Sequence, residues 1–410
     1  MPSDKSITHR ALLANAITEG EAEVTLRTPG ADVESTIRCL SALGVAIERR
    51  GDVVTVRGGT FTTADSALDC GNSGTTMRLL AGVLAGQAVT ALLDGDASLR
   101  RRPMERVAAP LNAMGARIET TDGCPPVQVN GGGVHAMDHD LPVASAQVLG
   151  AIAFAALGAP GRTTIATPSP TRDHTERLLA WMGVPIQRRG NVTSISGPAR
   201  PVARSLEVPG DPSAAAAWLV AGPLHPDADI TISGVCLNPT RLAFLDVLRE
   251  MGARIEVNDQ HDDGPEPVGD LLVRSGDGLR AIRLGGDTVA GLIDELPLIG
   301  VAMASVNDWS ELRDAGELRV KESDRIAAVV AGLHAIGADV EELPDGWRVR
   351  RGEPRDAQIT TLGDHRIAIA FAMAALTGVA GTVRIDDAEC ASVSYPTFWT
   401  DVDAATAVPA

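Results

Sequence analysis

Eight short segments of this 410-residue chain hold most of the side chains that could bind anions or move protons. PSDKSITHRALL (2–13) offers Lys5, Ser6 and Arg10. Cations and hydroxyls at a helix start, where unpaired amides point outward, suit a carboxylate or a phosphate. The same segment would also serve as an ordinary capped helix with solvated charges. DCGNSGTTMRLL (69–80) leads through Asn72 and Gly74 into an apolar run. Glycine there lets the backbone approach a ligand closely. No GKS or GKT follows, so the segment is not a P-loop. DGDASLRRRPMERV (94–107) ends a run of three arginines at Arg102, although such runs are more often solvated. LPVASAQVLGAI (141–152) places Ser145, Ala146 and Gln147 at the entry to an apolar helix, and SPTRDHTERLL (169–179) does the same with Arg172.

The remaining three segments add carboxylates. LIDELPLIGVAM (292–303) sets Asp294 and Glu295 at the mouth of a buried helix, where a carboxylate needs a partner or a task to offset its desolvation. LRVKESDRI (318–326) packs Lys321, Glu322, Asp324 and Arg325 together. The three-residue spacing of Glu322 and Arg325 puts them on one face if the segment is helical. LGDHRIAIAFA (362–372) opens another apolar helix with His365 and Arg366. Guanidinium and ammonium groups with a few carboxylates suit an enzyme that holds two or three anionic groups and moves protons among them.

The elements that must position these residues are repeated. One phrase occurs five times, as LSALGVAIE (40–48), LNAMGARIE (111–119), LLAWMGVPIQ (178–187), LREMGARIE (248–256) and LHAIGADVE (333–341). Each reads as a helix end, a terminating glycine and an alternating strand. Gly44, Gly115, Gly183 and Gly252 are 71, 68 and 69 residues apart, and Gly337 follows after 85. The longer gap contains NDQHDDGPEPVGD (258–270), whose composition predicts an exposed loop. A second, nearly all-apolar phrase rich in small residues occurs six times, for example TMRLLAGVLAGQAVTALL (76–93). A helix apolar on every side is buried on every side. The pattern predicts six small α/β units in two lobes of three, one of residues 5–209 and one of residues 1–4 and 210–410. Every charged segment falls at a repeat junction, and such junctions are expected to converge on a cleft.

Composition bounds the possibilities. The net charge is −17, which argues against a nucleic acid partner. The five cysteines form no CxxC pair and their number is odd, so a reducing compartment without disulfides or a zinc site is expected. MPSDKSITHR lacks the basic and apolar regions of a signal peptide. The longest apolar stretch, 367–380, is too short to span a membrane. A cytoplasmic protein is the expectation. His135 and His139 have a metal-like spacing but lie in a Gly/Asp loop, and no metal is expected there. Trp181, Trp218, Trp309, Trp347 and Trp399 are scattered and read as core or rim.

DKSITHR, GNSGTTMR, RRPM, ASAQV, TRDHTE, IDELP, RVKESDR and GDHRIA, in this order over residues 2 to about 399, resemble the enolpyruvyl transferase family. The resemblance is to the branch that uses shikimate 3-phosphate. It implies two lobes, each of three βαβαββ units around buried parallel helices. It also implies phosphoenolpyruvate and shikimate 3-phosphate as substrates, with no cofactor and a monomeric state. Carried over position by position, Lys5, Ser6, Arg10, Ser145, Ala146, Gln147, Arg172, Asp294 and Lys321 look like the shikimate 3-phosphate contacts. Lys5, Asn72, Gly74, Arg102, Gln147, Arg325, His365 and Arg366 look like the phosphoenolpyruvate side. Asp294, Glu322 and Lys5 look like the proton-handling groups. The resemblance further implies sensitivity to glyphosate, because Gly74 stands where insensitive relatives can carry Ala.

There are departures from the family pattern. Ser3 replaces a usual Gly, and the family's usual strand before DKS is not evident. Either the sixth unit lacks one strand or the start is placed differently. Val393 stands where one branch has a Lys near phosphoenolpyruvate. Two other readings remain. The sister enzymes acting on UDP-N-acetylglucosamine usually carry a Cys where alignment on Arg102-Pro103 gives Ala97. A non-catalytic repeat scaffold would not need Asp294 and Glu322 beside so many cations.

Overall fold

The computed structural model describes residues 1–406. The chain forms two compact units. The first comprises Ser3–Val208 with the short piece Asp263–Glu266, and the second comprises Met1–Pro2, Pro209–Asp262 and residue 267 onward.

In the first unit, six helices alternate in character. Helices α1 (Lys5–Ala16), α3 (Gly74–Ala85) and α5 (Ala146–Ala156) are buried along almost their whole length. Helices α2 (Ala31–Ala42), α4 (Glu105–Ala113) and α6 (His174–Trp181) bury one face. The buried helices are the six-fold apolar phrase, and the half-buried ones end in the glycine phrase. Their small residues have a packing reason. A Cβ on Gly82 would lie 2.2 Å from the Ala151 carbonyl oxygen, so α3 and α5 touch backbone to backbone. That leaves little room for aromatic rings, which make up 3% of the chain.

Three four-stranded sheets cover these helices. The second repeat shows the plan: Leu68–Asp69, α3, Thr90–Asp94, α4, then the hairpin Arg117–Thr121 and Cys124–Asn130. Strands one and two are parallel, and strand four inserts antiparallel beside strand two. The third repeat uses Asp138–Asp140, Gly161–Ala166, Ile186–Arg189 and Val192–Gly197 in the same order. The first repeat closes on itself, because Leu206–Glu207 returns to pair in parallel with Gly20–Thr25.

The second unit repeats the plan with losses. Its buried helices are α7 (Pro212–Leu224), α10 (Leu296–Ala304) and α12 (His365–Leu376), and they pack on one another. Helices α8 (Ala243–Glu250), α9 (Asp287–Leu292), α11 (Arg325–Ala335) and α13 (Phe398–Thr406) complete the set. The fifth repeat has the full sheet, in the order Arg283–Leu284, Ser310–Leu312, Gly346–Arg350, Asp339–Leu343. The fourth has three strands and an isolated bridge, Gly210 to Val235. Among the described residues the sixth has only Ala357–Ile359 and Val383–Ile385. Among those residues the hairpin of the other repeats is absent, not one strand alone. A 3-10 turn, Ala388–Val393, and α13 follow instead.

All five marker glycines adopt positive φ, from +85° at Gly183 to +107° at Gly252. This is the left-handed conformation that ends a helix at low steric cost. The expected exposed loop at 258–270 is found in part: residues 258–264 are exposed and 262–267 join two strands, but the ends of the stretch are strand and Glu266 turns inward. Strand Ile255–His261 pairs with Val268–Arg274 through a register slip, and Glu266 is only 2% exposed. No helix among the described residues is long and apolar enough to cross a membrane.

Candidate active site

In the first unit the sequence-predicted residues gather at the N-terminal ends of the buried helices. Asp4 caps α1, accepting from the Ile7 amide at 2.8 Å, while the Thr8 hydroxyl donates to the Asp4 carbonyl. The cap is thus Asp4, which satisfies part of the positive helix end itself. Lys5 Nζ lies 3.0 Å from Asp32 Oδ2, on the first turn of α2. Arg10 is 3% exposed. Its Nε donates to Thr175 Oγ1 at 2.7 Å, Nη1 to the Ser6 carbonyl at 2.9 Å and Nη2 to the Ala146 carbonyl at 3.3 Å. One guanidinium thereby ties together the starts of α1, α5 and α6. Burial, with the Arg172 charge, lowers its pKa to about 10 against the pull of Glu176, Asp4 and Glu266, so it stays protonated at neutral pH.

Ser73 caps α3, and Gly74 is that helix's first residue. Arg102 Nη2 donates to Asn72 Oδ1 at 2.5 Å, and Asn72 Nδ2 donates to Asp96. The arginine run splits: Arg100 pairs outward with Asp94, while Arg102 turns toward Asn72. Gln147 accepts from Arg78 Nη1 at 2.7 Å and donates to Thr75 Oγ1 at 2.9 Å. Ser145 caps α5, its oxygen accepting from the Val148 amide, which leaves its proton available to an anion. Ala146 is the first residue of α5, and Arg172 is half-buried two residues before α6.

In the second unit the same helix ends carry carboxylates. Arg325, the first residue of α11, is 1% exposed. Its Nε and Nη2 meet Asp364 at 2.7 and 3.3 Å, Nη2 meets Glu322 Oε2 at 2.6 Å, and Nη1 lies 3.5 Å from Asp294 Oδ1. Burial opposes the Arg325 charge, but Glu322, Asp364 and Asp294 outweigh it and hold its pKa above the ordinary value. Burial likewise disfavours ionised Asp364, but Arg325 and His365 prevail and its pKa is lowered. Asp364 caps α12 through the Arg366 amide, and His365 and Arg366 open that helix, both buried. Among the described residues Arg325 Nη1 and Arg366 Nε make no hydrogen bond, as expected of donors kept for an anion.

Several expectations change in detail. Glu322 and Arg325 do not share a helical turn; Glu322 lies on the bend before α11, and their pairing comes from that bend. Lys321 pairs with Glu317 at 3.0 Å. Glu295 is buried against the Ser213 hydroxyl, which Arg241 also reaches. Val393 ends the 3-10 turn beside α12 and supplies no cation there.

Sequence reasoning missed Asp32, Arg78 and Asp364. Arg78 left a signal as a lone charge inside an apolar helix, 5% exposed. Asp364 left one as a capping residue before a buried helix. Asp32 left none. Among the described residues no His, Cys, Asp and Glu side chains group as metal ligands.

Repeats of this topology with charged mouths on the buried helices define an enolpyruvyl transferase fold. The enolpyruvyl transferase NikO from Streptomyces tendae has it too, with TM-score 0.79 over 99% of this chain and 94% of that one; at 16% identity this is a likeness of fold alone. Within that class the chain belongs to the EPSP synthase (3-phosphoshikimate 1-carboxyvinyltransferase) family, whose model matches residues 1–402. It is 50% identical to the 3-phosphoshikimate 1-carboxyvinyltransferase of Roseiflexus castenholzii, over 97% of this chain and 94% of that protein. The counterpart from Geobacillus kaustophilus is 43% identical over 98% and 96%. The EPSP synthase structure from Acinetobacter baumannii superposes with TM-score 0.88 at 38% identity, covering 98% of this chain and 94% of that one.

Proposed function

We propose that this chain transfers the enolpyruvyl group of phosphoenolpyruvate to the 5-hydroxyl of shikimate 3-phosphate and releases phosphate. The observation that carries the reading is the Arg325 cluster. One buried guanidinium holds Glu322 and Asp364 and adjoins Asp294, with Arg366 opening the next helix. Such a cluster offers an anion site beside two carboxylates of different surroundings, as proton transfer in both directions requires.

Asp294 takes the proton of the 5-hydroxyl as that oxygen attacks C2 of phosphoenolpyruvate. Glu322 gives a proton to C3, producing a tetrahedral intermediate whose C3 is a methyl group. A proton then returns from C3 to Glu322, the C2–O bond to phosphate breaks with both electrons going to the departing phosphate, and the enol ether forms. Glu322 is paired to Arg325 and takes up a proton from solvent before it donates to C3. An incoming anion that takes Arg325 Nη1 places a like charge beside Glu322 and raises its proton affinity. Lys5 shares in proton handling from its place beside Asp32.

Shikimate 3-phosphate is assigned to Lys5, Ser6, Arg10, Ser145, Ala146, Gln147, Arg172, Asp294 and Lys321. Phosphoenolpyruvate is assigned to Lys5, Asn72, Gly74, Arg102, Gln147, Arg325, His365 and Arg366. Arg10 donates three of its five N–H groups within the protein, so two are left for a carboxylate. The protein works in the cytoplasm, a reading supported by its five free cysteines.

Phosphate release tests the assignment. The protein is expected to release phosphate from phosphoenolpyruvate with shikimate 3-phosphate and not with UDP-N-acetylglucosamine. The reverse preference, or no release with either acceptor, contradicts it.

A further inference from the structure

The acidic stretch 258–270 places one carboxylate deep in the first unit. Glu266, in the piece Asp263–Glu266, is 2% exposed, and its Oε1 lies 2.6 Å from Nδ1 of His174, itself 1% exposed. Its Oε2 lies 3.9 Å from Arg177 Nε, which also pairs with Asp173 at 2.9 Å. His174 is the first residue of α6. The next residue, Thr175, accepts from Arg10 Nε at 2.7 Å, and Arg172 stands two positions upstream of His174. Glu266 is also among the charges that support the Arg10 cation. A residue 89 positions away in sequence from the end of this segment (Arg177) thus grips the turn that bears Arg172 and the contact that orients Arg10.

We infer that Glu266 is a positioning residue for shikimate 3-phosphate binding: through His174 and Arg177 it fixes the start of α6, and with it Arg172 and Arg10. The inference rests on the assignment of those two arginines to that substrate. A buried carboxylate held by a hydrogen bond, with a guanidinium nearby, clamps a segment because it cannot find equivalent partners elsewhere. A loop so held presents its guanidinium in one orientation, and a clamp misplaced by about 1 Å loses up to ~10²-fold. Arg102 is oriented by Asn72 and Arg325 by Asp364, so the effect is expected to fall on one substrate.

The test compares the parent, Glu266→Gln, Glu266→Ala, His174→Asn and Arg172→Ala. Shikimate 3-phosphate affinity is measured by calorimetry, KM for phosphoenolpyruvate and kcat by phosphate release, and the fold by melting. Glu266→Gln is expected to weaken shikimate 3-phosphate binding about tenfold, with kcat and the phosphoenolpyruvate KM within about threefold of the parent. Glu266→Ala is expected to weaken it further, and Glu266→Gln with His174→Asn together no more than the worse single change, as for one coupled unit. If both Glu266 variants bind as the parent does while Arg172→Ala loses affinity, this inference is overturned and the proposed function stands. If Glu266→Gln lowers the melting temperature and degrades both substrates and kcat alike, Glu266 is a structural brace and the inference is likewise overturned. A parent that fails to bind shikimate 3-phosphate overturns the proposed function as well.

Discussion

At Gly74 a single missing carbon decides where two guanidinium groups lie. A Cβ there would come within 2.9 Å of Arg78 Nη1 and 3.3 Å of Arg102 Nη1, both far ends of flexible side chains. Gly74→Ala is therefore expected to fold with stability changed by less than about 1 kcal/mol, since helix propensity offsets small strain. The displaced guanidiniums should raise the phosphoenolpyruvate KM about tenfold and weaken inhibition by glyphosate more than that. Steady-state kinetics with and without glyphosate, alongside a melting curve, checks both. Arg325 behaves differently because it is enclosed by carboxylates. Arg325→Lys keeps the charge but cannot meet Asp364 through two nitrogens and Glu322 as well. Its kcat/KM should fall at least about 100-fold, and stability by about 3 kcal/mol as buried carboxylates lose their partner. A denaturant titration beside the kinetics would separate the two losses.

The glycines that end the half-buried helices share one conformation but not one environment. Gly183 has φ +85° and only Val202 Cγ2 near its would-be Cβ, at 3.8 Å. Gly337 has φ +94°, and its Cβ would lie 1.9 Å from the Glu353 carbonyl oxygen. Gly183→Ala should cost about 1–2 kcal/mol, the left-handed term alone. Gly337→Ala should exceed about 3 kcal/mol, because backbone must move as well. Urea titrations of both variants measure the difference. These helix ends were legible in the sequence because a terminating glycine before an alternating strand is a local signal. So were the buried helices, whose Ala and Gly content is the price of close packing. What lay hidden was non-local. Nothing near Asp32 points to Lys5, and nothing in the polar composition of 258–270 reveals that Glu266 is buried against His174. The missing hairpin of the sixth repeat showed only as a glycine phrase occurring five times instead of six.

For the whole molecule, charge burial sets the response to acid. His9 is fully enclosed beside Thr36, and burial lowers its pKa from 6.5 to about 3. Between those values the unfolded chain binds a proton that the folded chain does not, so stability falls as pH drops from 6.5 toward 3. A His9→Asn protein should lose about 1.4 kcal/mol per pH unit of that slope near pH 5, whatever its stability at pH 7. Denaturant titrations at several pH values give the slope directly. The family was legible at this scale too, since eight short motifs in one order across the chain identify a family that no single motif would. The roles within the site are a finer matter, and the proton steps are their core. Addition and elimination turn C3 of phosphoenolpyruvate into a methyl group and back, so solvent hydrogen must enter the vinyl group. The direct measurement is deuterium in the vinyl protons after reaction of phosphoenolpyruvate with shikimate 3-phosphate in heavy water, for the parent and for Glu322→Gln. The parent should incorporate deuterium as it releases phosphate, and Glu322→Gln should lose both by about 100-fold or more. Deuterium entering at the parent's rate in Glu322→Gln, or a parent that makes product with no deuterium at all, would contradict the account.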